Sequence, residues 1–148
     1  MKSKKIVFAG LDKSGKTSII ESFLNQFTIV NPLPTAGIHR KRLVHLDWLG
    51  FQITSWDLGG QDEYRKEHFK NPAIFTDAMA LFYVIDVQDD KRFSLTIDFL
   101  SKIFQKLNEL NDLPHIIICF HKFDPKLKKK AEINRKIEDL RQQIENIT

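Results

Sequence analysis

The sequence predicts an α/β fold built on a mostly parallel sheet, and three observations support this prediction. Apolar runs of strand length alternate with segments whose apolar residues recur at helical spacing. Residues 78–85 are apolar throughout, which is typical of a strand buried on both faces. A glycine-rich loop at residues 10–17 joins the first apolar run to the first helical pattern. Strands that alternate with helices favour a parallel sheet with helices on both faces.

The elements follow in order along the chain. Strands are predicted at residues 6–9, 42–48, 51–56, 78–85 and 115–120. The second and third strands are separated only by Leu49 and Gly50, so we expect an antiparallel hairpin there. Helical apolar stripes begin near residues 17, 93 and 133, and we interpret them as core faces without a ligand role. No repeat or linker divides the chain, which predicts a single domain over residues 1–148.

Composition excludes several classes of protein. With 148 residues, 42% hydrophobic and 28% charged, the chain suits one soluble domain with a full core. The formal charge of +4 includes a basic run at residues 126–130, for which we favour a solvated surface, with an acidic membrane or partner as the alternative. No basic stripe interleaved with aromatics favours nucleic acid. The single cysteine, Cys119, permits no intramolecular disulfide, which fits a cytoplasmic location.

The loop at residues 10–17 matches the phosphate-binding pattern of glycine, four free residues, and Gly-Lys-Thr. Glycines let successive backbone N–H groups turn inward, and the following helix points its positive end at the same place. Lys16 adds a charge for the β- and γ-phosphates, and the Thr17 hydroxyl is a hard oxygen ligand for Mg²⁺. This loop alone leaves open whether the ligand is ATP or GTP.

A second motif, Trp-Asp-Leu-Gly-Gly-Gln, ends the hairpin at residues 56–61. Asp57 can support Mg²⁺ through a water, and Gly60 can bring its backbone N–H close to a terminal phosphate. The amide of Gln61 can orient an attacking water. Ligands of such sheets lie outside the carboxyl ends of the strands, where both motifs occur.

These two motifs resemble the small GTPases of the Ras superfamily, and most closely the Arf branch. Pro-Thr-Ala-Gly at residues 34–37 is similar to the Arf switch I motif, which implies that Thr35 binds Mg²⁺ and touches the γ-phosphate. The resemblance implies a P-loop NTPase G domain that continues with a further strand, nucleotide loop and helix. We therefore expect the chain to be shortened relative to that family.

The base-reading motif of that superfamily is Asn-Lys-x-Asp after a strand, and this chain has His121, Lys122, Phe123 and Asp124. The Asp124 carboxylate can accept hydrogen bonds from guanine, which adenine cannot donate. Lys122 can lie along the base while its amine bonds back to the phosphate loop. His121 replaces Asn and resembles the Rag/Gtr branch, which implies an Arf-like GTPase with Rag-like features.

The resemblance implies a switch that binds GTP or GDP with Mg²⁺, hydrolyses GTP slowly, and meets an effector, an exchange factor and an activating protein, with recruitment to a membrane surface left open. The predicted nucleotide ligands are Asp12, Lys13, Ser14, Gly15, Lys16, Thr17, Ser18, Thr35, Gly60, His121, Lys122 and Asp124. The predicted metal ligands are Thr17, Thr35 and Asp57, and the catalytic residues are Gln61 and Lys16. Two alternatives stay open: a Rag-like nucleotide-binding subunit of a heterodimer without turnover, and an ATP-specific enzyme.

Overall fold

The structure is a computed structural model that describes residues 4–24, 39–46, 51–57 and 69–147. Its strands are β1 Lys4–Ala9, β2 His39–Leu46, β3 Phe51–Asp57, β4 Ala78–Asp86 and β5 His115–His121. Its helices are α1 Lys16–Leu24, α2 Phe93–Leu110, α3 Pro125–Lys128 and α4 Ala131–Glu145, with 3₁₀ turns at Pro72–Ile74 and Asp90–Arg92. The predicted strands and helices are present within the described residues; β2 begins three residues earlier than predicted, and β3 extends one residue further, to Asp57.

The described strands form one sheet in the order β2-β3-β1-β4-β5. β1 pairs in parallel with β3 and β4, β4 pairs in parallel with β5, and β2 runs antiparallel to β3. The α/β class, with a mostly parallel sheet and one hairpin, is therefore confirmed. Because these four strands are parallel, the carboxyl ends of β1, β3, β4 and β5 lie at one edge of the sheet.

The hydrophobic core lies on the face of the sheet that α2 and α4 cover. Val7, Leu81 and Tyr83 are fully buried there among apolar side chains of both helices. The Tyr83 hydroxyl donates to the Thr96 carbonyl at 2.7 Å, so its polar end is satisfied. Phe8 and Phe82 stack at 5.0 Å between ring centroids. Alternate residues of a strand point to opposite faces, so this stack lies on the other side of the sheet.

Strand β5 is less buried than the sequence predicts. Ile117 is 40% exposed and Cys119 is only half-buried, whereas the apolar run at residues 115–120 predicts a buried strand with Cys119 as a small core residue. The reason is position, because β5 is the last strand in the order of the described sheet. Cys119 is nevertheless shielded enough that burial raises the pKa of its thiol. None of the helices in the described ranges is long and apolar enough to span a bilayer.

Candidate functional site

The phosphate loop has the backbone that its glycines allow. Gly10 has a φ of +143° and Gly15 a φ of +101°, and Lys13 also lies in the left-handed region with a φ of +61°. A Cβ at Gly10 would stand 2.3 Å from the Val84 carbonyl oxygen of β4. The loop thus depends on glycine both for its conformation and for its close approach to the sheet.

Lys16 lies near the end of this loop, and its side chain reaches back to the start of it. Its side chain is buried, with 5% exposure, and its ammonium donates to the Gly10 carbonyl at 3.1 Å and to the Leu11 carbonyl at 2.8 Å. It is also the first residue of α1, so its charge and the positive end of the helix act at the same place. Backbone N–H groups, a helix start and an ammonium together make a site for phosphate groups.

Three hydroxyls lie in this loop and in the first turn of α1. Ser14 is 2% exposed, and its Oγ has no hydrogen-bond partner among the described residues. Thr17 follows Lys16 in the first turn of α1 and is half-buried. Ser18 comes next in that turn and is also half-buried. The loop and the start of α1 therefore hold one buried and two half-buried hydroxyls within two residues of Lys16 in the sequence.

The base loop, residues 121–124, leaves the end of β5 and contacts the phosphate loop directly. The His121 Nδ1 lies 3.0 Å from the Ser14 carbonyl oxygen, so that nitrogen carries the hydrogen and donates it. The packing is close enough that a Cβ at Gly15 would stand 2.3 Å from the His121 Nδ1. The two loops are thus in contact through a hydrogen bond and through packing.

Lys122 forms the second connection between the loops. Its ammonium donates to the Lys13 carbonyl at 2.7 Å and to the Asp86 carboxylate at 2.7 Å. Asp86 ends β4, and its side chain is 14% exposed while that of Lys122 is 37% exposed, so the ion pair is partly shielded from water. Lys122 has a φ of +59°, a conformation that costs a non-glycine residue energy. The contacts of its side chain and backbone support this turn.

Asp124 lies at the open end of the base loop. It is exposed and directly precedes α3, whose first residue is Pro125. Gln88 donates from Nε2 to the Lys122 carbonyl at 2.9 Å and to the Asp124 Oδ2 at 3.5 Å. The Asp124 carboxylate thus keeps accessible acceptors for a ligand with paired N–H groups.

Asp12, in the phosphate loop, is paired with Arg92 at the end of a 3₁₀ turn. Arg92 donates to the Asp12 Oδ1 at 2.6 Å, to the Asp12 carbonyl at 3.1 Å and to the Asp89 Oδ2 at 2.5 Å. Partial burial opposes the charge of Arg92, but the hydrogen bonds with Asp89 and Asp12 outweigh it and raise the pKa of the guanidinium. This ion cluster links the phosphate loop to the segment before α2.

The comparisons with known proteins agree with this geometry. The chain matches the ADP-ribosylation factor family over residues 1–147. It belongs to that family. Among curated relatives, this Arf-family chain is 36% identical over 115 residues to ADP-ribosylation factor-like protein 3 of Chlamydomonas reinhardtii. That match covers 78% of the chain and 60% of the relative, so the chain spans about three fifths of the relative's length.

Solved structures place the Arf-family chain in the same fold. The mammalian SRP receptor aligns with a TM-score of 0.68 at 18% identity, covering 95% of the chain and 73% of the receptor chain. A complex of GDP with the Arf-like small COPII coat GTPase SAR1 of Encephalitozoon cuniculi aligns with a TM-score of 0.58 at 19% identity. That alignment covers 97% of the chain and 60% of the other. At these identities the likeness shows the fold.

The donors available for Mg²⁺ in this Arf-family chain are hard oxygens. Thr17 supplies a hydroxyl at the start of α1. Asp57 ends β3 opposite Phe8 of β1, so its backbone lies at the same sheet edge as the phosphate loop. A hydroxyl and a carboxylate are the donor types that Mg²⁺ prefers, usually with phosphate oxygens and waters completing its shell. The residues present therefore fit the ion.

Three predicted site residues lie outside the described residues: Thr35, Gly60 and Gln61. The remaining ones, from Asp12 to Ser18 in the phosphate loop, Asp57, and His121, Lys122 and Asp124, all come to one edge of the sheet. Their roles toward a ligand stay predictions.

Sequence reasoning missed the residues that connect these loops, namely Asp86, Gln88, Asp89 and Arg92. Asp86 is the last residue of β4 and the other three follow that strand, and β4 lies between β1 and β5 in the sheet. One signal was available, because polar residues directly after a buried strand of a parallel sheet lie at the ligand edge. Which of them reaches which loop depends on the strand order, and the sequence does not state that order.

Proposed function

We propose that this Arf-family chain is a guanine-nucleotide switch that binds GTP and GDP with Mg²⁺ and hydrolyses GTP slowly. The observation that carries the proposal is the direct bonding of the base loop to the phosphate loop. His121 meets the Ser14 carbonyl at 3.0 Å, and Lys122 meets the Lys13 carbonyl at 2.7 Å. A phosphate cradle joined to an exposed carboxylate suits a nucleotide whose base offers paired N–H donors. Guanine does this and adenine does not.

Each part of the site has a separate task in this proposal. Lys16 exchanges its contacts with the Gly10 and Leu11 carbonyls for phosphate oxygens, and the loop N–H groups bind the remaining charge. Asp124 accepts from the base, while Lys122 lies along it. Mg²⁺, held by Thr17 and Thr35 with Asp57 behind a water, would neutralise the phosphate charge.

For hydrolysis we propose that Gln61 orients the attacking water, with the Gly60 N–H near the γ-phosphate. No arginine occurs in residues 10–17, so the phosphate loop contains no cationic side chain besides its lysines. Without an arginine finger, such sites turn over slowly. We therefore propose that an activating protein accelerates the reaction, and that an exchange factor and an effector recognise the two nucleotide states. Recruitment to a membrane surface belongs to this proposal.

One observation favours a second candidate, a Rag-like nucleotide-binding subunit of a heterodimer with little turnover. His121 takes the place of Asn in the base motif, and its Nδ1 is occupied by the Ser14 carbonyl. The nucleotide that co-purifies with the chain separates the two candidates. GDP favours the hydrolysing switch, and retained GTP favours the subunit without turnover.

Competition binding tests the base specificity. Labelled GDP bound to the chain is challenged with GDP, GTP, ADP and ATP, and we expect only the guanine nucleotides to compete. We expect Asp124→Asn to weaken GDP binding by about a hundredfold or more, since a buried or bound donor left unpaired is costly. Asp98→Asn, at an exposed carboxylate of α2 paired with Lys102, serves as the matched control. Equal competition by ATP would instead support an ATP-specific enzyme.

Single-turnover hydrolysis of GTP tests the catalytic role. We expect Gln61→Leu to slow the step by at least tenfold, because the attacking water loses its orienting amide. Gln105→Leu, at a glutamine of α2 near Glu109, is the control for the same change in side chain. Equal rates for the wild type and Gln61→Leu would remove Gln61 from the proposed mechanism.

A further inference from the structure

The stretch from the last residue of β4 to the start of α2, residues 86–92, contacts both loops of the candidate site. We call it the linker segment. At its start, the Val87 N–H donates to the His121 carbonyl at 3.1 Å, extending the pairing of β4 with β5 into the base loop. At its end, Arg92 meets Asp12 in the phosphate loop at 2.6 Å. The linker segment therefore touches the two halves of the site through different residues.

The contact with the phosphate loop resolves a conflict of charge. Asp12 places a carboxylate in a loop whose N–H groups, helix start and lysine all serve to attract anions. Arg92 holds this carboxylate and the Asp12 carbonyl together, and Asp89 holds the guanidinium from its other side. The side chains of Asp12 and Arg92 are 31% and 32% exposed, so the pair is only partly screened by water. An unpaired Asp12 would repel a polyphosphate.

The contact with the base loop is neutral and supports conformation. Gln88 is fixed by its own N–H, which donates to the Asp86 Oδ1 at 2.9 Å. Its Nε2 then donates to the Lys122 carbonyl at 2.9 Å and lies 3.5 Å from the Asp124 Oδ2. Lys122 has the left-handed conformation of this turn, so Gln88 braces the residues that present Asp124.

We infer that the linker segment positions the two halves of the nucleotide site separately, with Arg92 neutralising Asp12 beside the phosphates and Gln88 orienting Asp124 toward the base. This inference rests on the proposed guanine-nucleotide site. Neither residue needs to touch the ligand, so both are positioning residues. The division of labour gives each a distinct effect on binding: Arg92 affects ligands according to phosphate charge, and Gln88 affects them according to the base.

The Arg92 half is tested by titrating GDP and GMP against Arg92→Ala. We expect the affinity for GDP to fall about fivefold to tenfold and the affinity for GMP about twofold, because repulsion from the unpaired Asp12 grows with ligand charge. Adding Asp12→Asn to Arg92→Ala removes that charge, keeps the backbone N–H of residue 12 for the phosphates, and is expected to recover most of the GDP affinity. Arg92→Lys keeps the cation and is expected to retain binding, which separates loss of charge from loss of fold.

The Gln88 half is tested with GDP and IDP, since hypoxanthine lacks the exocyclic amine of guanine. A well-oriented Asp124 accepts from both N–H groups of guanine and discriminates against IDP. We expect Gln88→Leu to lower the ratio of IDP to GDP dissociation constants about threefold to tenfold, the value of one hydrogen bond. Gln88→Asn is the second variant. Asp90→Asn, at a residue of the linker segment whose exposed carboxylate pairs with Lys136 of α4, is the control expected to change neither measurement.

The outcomes are distinguishable. The inference is overturned if Arg92→Ala weakens GDP and GMP equally without recovery by Asp12→Asn, or if Gln88→Leu leaves the IDP to GDP ratio unchanged. A wild-type chain that binds no GDP overturns the proposed function and this inference together. If the wild type binds GDP and the variants have the same affinities and the same IDP to GDP ratio as the wild type, only the inference is overturned. Thermal unfolding without nucleotide verifies that each variant is folded.

Discussion

The phosphate loop and the base loop lie side by side, but different kinds of contact hold them. In the phosphate loop, Lys16 bonds to Gly10 and Leu11, which precede it by only a few residues. In the base loop, His121 and Lys122 bond to Ser14, Lys13 and Asp86, far away in the sequence. The first loop is therefore built locally, and the second depends on the sheet that brings its partners together.

The largest expected effect comes from breaking the phosphate loop where it meets the sheet. Gly10→Ala would place a Cβ 2.3 Å from the Val84 carbonyl oxygen while keeping a φ of +143°. A backbone atom in a central strand cannot move aside, so we expect a loss of about 3 kcal/mol or more in the free energy of unfolding. Urea denaturation measures it.

Gly15→Ala is the informative comparison for that variant. Its Cβ would instead meet the His121 ring at 2.3 Å from Nδ1, and a side chain can rotate away. We expect a smaller loss of stability than for Gly10→Ala, together with weaker GDP binding, because the contact between the loops is broken. If the two variants lose equal unfolding free energy, or if Gly10→Ala is more stable than Gly15→Ala, this account of the close approach is contradicted.

The second effect comes from removing the contacts that Lys122 makes between the base loop and the rest of the domain. Lys122→Met removes the bonds to the Lys13 carbonyl and to Asp86, and leaves a carboxylate that is 14% exposed without its cation. We expect a loss of about 1–3 kcal/mol in unfolding free energy. Adding Asp86→Asn removes the unpaired charge and is expected to recover part of it. Additive losses in the double variant would show that the pair is not coupled.

The local loop is also the part that could be predicted from sequence. Gly10, Gly15, Lys16 and Thr17 have fixed spacing, and the physics of the loop lies within that spacing. The strands and helices follow in the same way from apolar periodicity, which reports local geometry. The predicted hairpin is present as well, as β2 and β3, although Leu49 and Gly50 are a weak turn signal.

The parts that escaped prediction depend on strand order. Arg92 reaches Asp12 only because β4 lies next to β1, and Gln88 reaches Lys122 only because β5 lies next to β4. An apolar run also does not reveal how far its strand is covered, so the partial exposure of Ile117 was missed. Burial and ion pairing between elements depend on the tertiary structure. A single sequence contains the partner residues but does not specify which of them are in contact.

A third, smaller effect sharpens the role of the histidine in the base loop. His121→Ala removes the donor to the Ser14 carbonyl and the ring beside Gly15. We expect a loss of about 1 kcal/mol in unfolding free energy, the usual value of one hydrogen bond. His121→Asn offers an amide donor of similar reach and is expected to lose less. If the two variants are equally destabilised, packing rather than the hydrogen bond joins the loops. The measurement is urea denaturation with and without GDP.

The smallest effect concerns Cys119, two residues before the base loop on the half-covered strand β5. Burial raises the pKa of its thiol, so the folded chain favours the neutral form. The stability that this adds is complete below the thiol pKa of the unfolded chain and is lost as the pH rises through the folded value. Because only the thiolate reacts, alkylation of the folded chain should rise with pH about a midpoint above that of the urea-unfolded chain. If the alkylation midpoint of the folded chain lies at or below that of the unfolded chain, the Cys119 thiol is exposed to solvent. Strand β5, which leads into the base loop, would then not be covered at Cys119.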